Sequence, residues 1–361
     1  MIYTLLFSLI KGMSINIKKK LIDESINAEY ALIKLRNDLK GMNTVSSKKI
    51  LNQINSNSLI KEVEKIIKNC KDNNIKLVSY KDISYPKNLF HCVDSPIVIY
   101  CKGKIEPNRY NLISIVGTRN CSDYGLDQCK ELISFLEPYN IALVSGLAYG
   151  IDIFAHNSAN SLGIANYAVL GSGINNIYPR AHLKESEIIS NNGMLISEFI
   201  PNAGPRSYNF PQRNRIIAGM SKCTIVVESP KKGGAMITAR LANDYNREVF
   251  AIPGNNNQTK SLGANWLIEN HQATILNNPE QIIKFLGLTK KENDNRLTKN
   301  IIGLKEDEKI IYNIIAIEIK ISFNEIQLKS SFSTSKLTVI LTNLEINQYV
   351  KSIIGNFYKL K

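Results

Sequence analysis

Two stretches hold residues whose types and spacing could do chemistry. ISIVGTR (113–119) reads as a buried strand that breaks at Gly117 and sets Thr118 and Arg119 on the turn. About ninety residues later, FPQRNRIIAG (210–219) places Phe210, Arg213, Asn214 and Arg215 ahead of an apolar helix. A glycine-broken strand end admits an anion to backbone N–H groups, and arginine's planar fork suits phosphate. The chemistry indicated is phosphate binding, and an aromatic such as Phe210 adds a stacking face for an unpaired base.

Three further stretches belong with these. SGLAYGID (145–152) is a second glycine-rich strand-to-helix turn, with Ser145, Gly146 and Gly150 small enough for close approach and Asp152 placed to brace the turn. Arg180 follows Tyr178-Pro179 in the next loop, and Arg206 lies just ahead of Phe210. Gly233 and Gly234 open another helix after Lys231 and Lys232. Some of these arginines must be structural: one of Arg213 or Arg215 is expected to bridge loops through a carboxylate such as Glu198 or Glu228. His156 is expected to pack or hydrogen-bond in the core rather than react. No residue is assigned a catalytic role.

A nicotinamide cofactor is disfavoured. Its fingerprint needs G-x-G-x-x-G and an acidic residue ending the next strand, whereas only Gly117 stands in the first turn and the next strand ends in Ser145-Gly146. The six cysteines form no CxxC pair and the chain has 4 histidines, so neither a metal site nor a disulfide framework is indicated. Reduced thiols in the cytoplasm fit that usage.

The elements that must position these residues alternate. From about 76 to 288, strands are expected at 97–100, 112–116, 142–144, 165–170, 194–197, 224–227 and 248–251, most followed by glycine or serine and then a helix. That pattern predicts an α/β, doubly wound, mostly parallel sheet of extended Rossmann-like type, with its binding edge at the strand C-termini. Residues 1–75 read as a separate helical domain of SAM or helix–hairpin–helix type, with Leu59, Val63 and Ile66 at helical spacing. The ten apolar residues MIYTLLFSLI are too few to span a bilayer and are expected as a core helix, so no membrane association is expected. Residues 289–300, TKKENDNRLTKN, read as a linker. Residues 301–361 read as helix, helix, helix and hairpin, the winged-helix order.

Lys and Arg number 45 against 31 Asp and Glu, a net charge of +14 that favours a polyanionic partner. Part of that excess reflects a lysine-rich composition. The arginines, gathered within residues 180–247, carry more information.

Taken in order, VGTR (116–119), SGLAYGID (145–152), GSGINNIYPRAHL (171–183), ISEF (196–199), FPQRNRIIAGMS (210–221), GGAMITARLA (233–242), VFAIPG (249–254) and SLGANWLI (261–268) resemble the DNA-processing protein A (DprA/Smf) family. The resemblance implies a homodimeric single-stranded DNA binder that loads the RecA recombinase during natural transformation and homologous recombination, without a cofactor. It places the cationic pocket on Arg119, Arg180 and Arg206 with Phe210 close by, and a dimer or recombinase surface on Leu267, Ile268 and Glu269. Gly234 stands where the family usually has serine. The expected recognition helix of the C-terminal unit offers only Lys336 as a cation, which argues against strong major-groove contacts.

An enzyme is the competing expectation. Phosphoribohydrolases of the lysine-decarboxylase-like group also hold a nucleotide on a cationic, glycine-rich edge, through PGGxGTxxE. Laid on that signature, Gly233-Gly234 puts Arg240 at the catalytic glutamate, which removes the acid–base group.

Overall fold

The protein is described from a computed structural model covering residues 1–104, 107–290, 304–317, 321–347, 349–353 and 355–360. These fall into two compact units that divide after Lys290. Positions 291–300 of the expected linker lie outside the described residues.

The first unit opens with five helices: α1 (Ile2–Leu9), α2 (Ile15–Asp23), α3 (Ala28–Lys40), α4 (Val45–Ile54) and α5 (Asn57–Asp72). Ser14, Asn27, Thr44 and Ser56 cap α2 to α5 by accepting backbone N–H bonds, which is why each helix starts where it does. Helix α5 buries Leu59, Val63, Ile66 and Cys70, a stripe at intervals of three and four. The remaining elements are β1 (Lys76–Ser79), α6 (Lys87–Phe90), β2 (Val98–Gly103), β3 (Asn111–Val116), α7 (Asp123–Leu136), β4 (Ile141–Ser145), α8 (Ile151–Ser161), β5 (Ala165–Val169), α9 (Leu183–Asn191), β6 (Gly193–Ser197), α10 (Asn209–Met220), β7 (Cys223–Val226), α11 (Gly234–Asp244), β8 (Glu248–Ala251), α12 (Leu262–Glu269), β9 (Thr274–Ile275) and α13 (Glu280–Leu286).

The nine strands form one sheet in the order β1-β2-β6-β5-β4-β3-β7-β8-β9. Strand β1 pairs antiparallel with β2 and β2 antiparallel with β6; every other pairing is parallel. Alternation along the strands supplies a separate core on each face. On β3, Leu112 and Val116 enter one core while Ile113 and Ile115 enter the other; on β4, Ala142 and Val144 oppose Ile141 and Leu143. Helices α10 and α11 cover the first face through Ile216, Ile217, Ala235 and Ala239, and α7 and α8 cover the second through Leu132, Ile133 and Ala155.

The N-terminal helices do not stand apart from this sheet. Leu5, Phe7, Val63 and Ile66 share one core with Val78, Ile99 and Tyr100. Helix α5 packs on β1 and α1 on β2. The physical reason is plain: the apolar face of the antiparallel edge needs cover, and five short helices have no large core of their own.

Strands β3 and β7 are neighbours, yet their crossovers leave on opposite faces, β3 through α7 and β7 through α11. A crevice opens where adjacent loops diverge in this way, beyond the strand C-termini.

In the second unit, α14 (Glu306–Ile317), β10 (Ile321–Ser322), α15 (Phe323–Ser330), α16 (Thr334–Ile346), β11 (Val350–Ile353) and β12 (Phe357–Leu360) surround a core of Ile311, Ile315, Ile326, Leu337, Leu341 and Leu344. The three strands pair antiparallel in the order β10-β12-β11.

Candidate nucleic-acid interface

The crevice is a cleft of about 670 Å³, to which five loops contribute, Tyr178 coming from the one between β5 and α9. Gly117, Thr118 and Arg119 come from the end of β3, Ala148 and Asp152 from the β4–α8 turn, Arg206, Phe210, Arg213 and Asn214 from the β6–α10 segment, and Gly233 and Gly234 from the start of α11.

The loops are tied to one another by buried hydrogen bonds. Thr118 N–H donates to the Glu228 carbonyl at 2.7 Å, and Ile151 N–H to the Thr118 carbonyl at 3.2 Å. Ser145 Oγ donates to the Ile115 carbonyl at 2.7 Å. Gly150 sits at φ +77°, and a Cβ there would lie 2.2 Å from the Thr118 oxygen, so only glycine closes this turn. Leu147 accepts a left-handed φ of 57° in the same loop, where His182 Nδ1 donates to its carbonyl at 2.8 Å.

The arginines divide into two kinds. Arg213 is 4 % exposed and donates from Nη1 to the carbonyls of Gly146 and Val169. A Cβ on Gly146 would fall 2.3 Å from that nitrogen, so this glycine makes room for Arg213 rather than for a ligand. Burial lowers the Arg213 pKa to about 10, while nearby Asp152 favours its charge. The Asp152 carboxyl is raised by burial, an effect opposed by Arg213 and by backbone hydrogen bonds at Ala148 and Gly146. Arg215 is also buried, ion-paired with Glu198 and donating to the Asp94 carbonyl. The expected loop-bridging arginine is therefore Arg215, through Glu198. Asn214 is buried and donates to the Gly234 carbonyl at 3.3 Å, joining α10 to the Gly-Gly turn.

Arg119 and Arg206 are exposed, and among the described residues neither has a carboxylate within salt-bridge distance. Arg119 stands 5.9 Å over the Phe210 ring. Phe210 lies against Gly171 and meets Tyr178 at a centroid distance of 5.4 Å. Arg206 donates to the Tyr208 hydroxyl at 2.7 Å. Arg180 is exposed too, in a short turn ahead of α9, but it does not line this cleft.

Two helix N-termini near the cleft are treated differently. That of α7 is filled: Ser122 caps it, and the buried Glu228 carboxylate accepts from Ser122 N–H and Oγ. That of α11 has no side-chain cap, and Gly233, Gly234 and Ala235 line the cleft there. An uncapped N-terminus offers free N–H groups and the positive end of the helix dipole to an anion. A Cβ on Gly234 would meet open space, so the serine usual at this position would also fit.

Asp152 is the one carboxylate among the lining residues, and it is spent inside the protein. Arg240 is exposed and does not line the cleft. The arrangement can bind phosphate and stack a base, and its one lining carboxylate is not free. Among the described residues no cluster of His, Cys, Asp or Glu could hold a metal, and no helix is long and apolar enough to cross a membrane.

The sequence profile of the DNA recombination-mediator protein A family matches residues 76–287, more than half of the chain and the whole of the sheet. The chain belongs to this family. Protein Smf of Escherichia coli is 37 % identical over 203 residues, covering 56 % of this chain and 54 % of that protein. DNA processing protein DprA of Streptococcus pneumoniae is 34 % identical over 207 residues, covering 57 % and 73 %. The matched stretch thus spans about half the length of the E. coli relative. The crystal structure of DprA from S. pneumoniae superposes with a TM-score of 0.69 at 28 % identity, over 79 % of this chain and 97 % of that one. A structure of the Helicobacter pylori DNA processing protein A, concerned with its single-stranded DNA binding mode, gives 0.53 at 28 % identity, over 59 % and 95 %.

Of the site residues expected from sequence in this family member, Gly117, Thr118, Arg119, Arg206, Phe210, Gly233 and Gly234 meet at the cleft with surfaces free. Ser145, Gly146, Gly150, Arg213, Asn214 and Arg215 hold the loops. Leu267 is 1 % exposed inside the core of this chain, out of reach of a partner; its neighbours Ile268 and Glu269 are half-buried and exposed. Tyr149 and Tyr208, 48 % and 59 % exposed at the rim, were not anticipated. Their signal was available: each aromatic stands within two residues of a turn glycine or an arginine.

Proposed function

We propose that the protein binds single-stranded DNA along this cleft, with little sequence preference, and loads a RecA-type recombinase onto it during DNA uptake by natural transformation and during homologous recombination. Arg119 and Arg206 hold phosphates in the cleft, Arg180 holds one beyond it, the open N-terminus of α11 takes a further one, and Phe210 stacks on a base. The observation that carries this is the pairing of two exposed, carboxylate-free arginines with a braced aromatic ring at the divergence of β3 and β7. Membership of the recombination-mediator family and the single-strand binding of the H. pylori relative support it. The protein acts as a cytoplasmic homodimer, which doubles the groove. Ile268 and Glu269 mark the partner surface, and the three helices and three strands of the second unit serve as a winged helix in an auxiliary role.

The test is a pair of measurements on the full chain. In competition anisotropy, oligothymidine is expected to bind more tightly than a matching duplex, with log K falling against log salt at a slope of about −2 for the three arginine–phosphate contacts. Added to a RecA-type recombinase on single strands, the protein is expected to shorten the nucleation lag. Equal affinity for duplex would refute the binding site, and an unchanged lag would refute the loading role.

A further inference from the structure

Arg119 sits in the loop 117–122 between β3 and α7. One residue, just beyond the end of the neighbouring strand β7, holds that loop on both sides of the arginine. The Glu228 carbonyl accepts from Thr118 N–H at 2.7 Å, directly ahead of Arg119. The Glu228 carboxylate accepts from Ser122 N–H at 2.8 Å and from Ser122 Oγ, on the far side. Lys260 Nζ adds one more tie, donating to the Cys121 carbonyl at 3.1 Å.

Two further observations set this carboxylate apart. Glu228 is 1 % exposed and, among the described residues, has no Lys or Arg within salt-bridge distance. A buried carboxylate without a cation is destabilising, and here the N–H groups that begin α7 take the cation's part. Gly125 makes the room: a Cβ there would lie 2.4 Å from a Glu228 carboxylate oxygen, at the third residue of α7. Glycine inside a helix is less stable than alanine. The chain thus carries two local costs to seat one carboxylate against this loop.

We infer that Glu228 is the positioning residue for Arg119. By fixing Thr118 and Ser122 it holds the arginine over the Phe210 ring, where the cleft meets a phosphate of the strand. Glu228 does not line the cleft and acts only through the loop. The inference rests on the single-strand binding proposed above.

The test is anisotropy with labelled oligothymidine on the full chain at several salt concentrations, arranged as a double-mutant cycle. Glu228→Ala is expected to weaken binding about fivefold and to reduce the magnitude of the salt slope by up to about 0.7, as loss of the Arg119 contact would. Charge alone predicts the opposite sign, since removing a carboxylate makes the protein more positive. In an Arg119→Ala background Glu228→Ala should change affinity by less than about twofold, whereas in an Arg206→Ala background the loss should remain about fivefold. Glu228→Gln, whose amide can accept from Ser122 N–H and donate to Oγ, should bind within about twofold of wild type. Ser122→Ala, a milder cut at a half-buried residue, should weaken binding about threefold, again only where Arg119 is present. Unchanged or tighter binding by Glu228→Ala, or an equal loss with and without Arg119, would overturn the inference. Should Glu228→Ala fail to fold, the Ser122→Ala cycle decides by the same criterion. A wild type without salt-dependent binding would sink the single-strand reading at the first titration, and this inference with it.

Discussion

The cleft of the first unit and helix α16 of the second both set cations near the start of a helix, and they handle them in opposite ways. In the cleft, Arg119 and Arg206 have no carboxylate partner among the described residues, and the start of α11 has no side-chain cap. On α16, Ser333 caps the helix and Lys336 is paired with Asp307 at 2.7 Å while lying 4.2 Å over the Phe332 ring. The Thr338 and Thr342 hydroxyls donate to carbonyls of their own helix, at Thr334 and Thr338. A surface that must take up a polyanion keeps its donors free, whereas α16 satisfies its donors internally. Within the first unit the same contrast separates Arg119 and Arg206 from Arg213 and Arg215, which burial has turned into struts.

The largest effect should come from breaking a strut. Glu198→Ala leaves the buried Arg215 guanidinium unpaired, and about 3–5 kcal/mol of stability should be lost. Denaturant unfolding measures this; single-strand affinity per folded molecule should be unchanged. A variant that kept its stability but lost affinity would assign Arg215 to the ligand instead.

Next in size is a pH effect confined to the first unit. His156 is fully buried against Asn166, and burial lowers its pKa to about 4 from 6.5. The unfolded chain therefore takes up a proton in a window where the folded chain does not, so stability falls as pH drops from about 6.5 to about 4, by up to about 3 kcal/mol. Unfolding of wild type against His156→Gln across that window isolates the effect, since the difference between the two profiles should grow as pH falls. Parallel pH profiles would contradict it.

Smaller still is the contribution of the second unit to DNA binding. Truncation after residue 300 should weaken single-strand affinity by less than about threefold, apart from general charge. Lys336→Ala should change it by less than about twofold, because the exposed Lys336–Asp307 pair is worth little either way. A collapse of binding in either variant would reverse the comparison and make α16 the DNA-reading element.

Much of the large, mostly parallel sheet was legible in the sequence, because apolar runs ending at glycine mark buried parallel strands. Strand β9 was not, being two exposed residues whose order comes only from pairing with β8. Nor was β1, a four-residue edge with two buried side chains. Amphipathic spacing foretold helix α5 but not its seat against β1, since a stripe says what is buried and not against what. In the site, glycine turns and arginines were readable, yet their division into struts and free donors was not. The partners of Arg213 are the carbonyls of Gly146 and Val169, 67 and 44 residues away, and carbonyls leave no mark in a side-chain pattern. Glu198, by contrast, could be foreseen as a partner because a buried arginine calls for a carboxylate.

The central claim is that free arginines at the divergence of β3 and β7 make the DNA site. Fluorescence anisotropy with labelled oligothymidine at two salt concentrations, wild type against Arg119→Ala/Arg206→Ala, tests it most directly. The double variant is expected to bind about 100-fold more weakly at low salt, with its salt slope smaller in magnitude by about 1.4 for two lost phosphate contacts. Equal affinity and equal slope in the two proteins would contradict the account and place the DNA-binding charge elsewhere on the molecule.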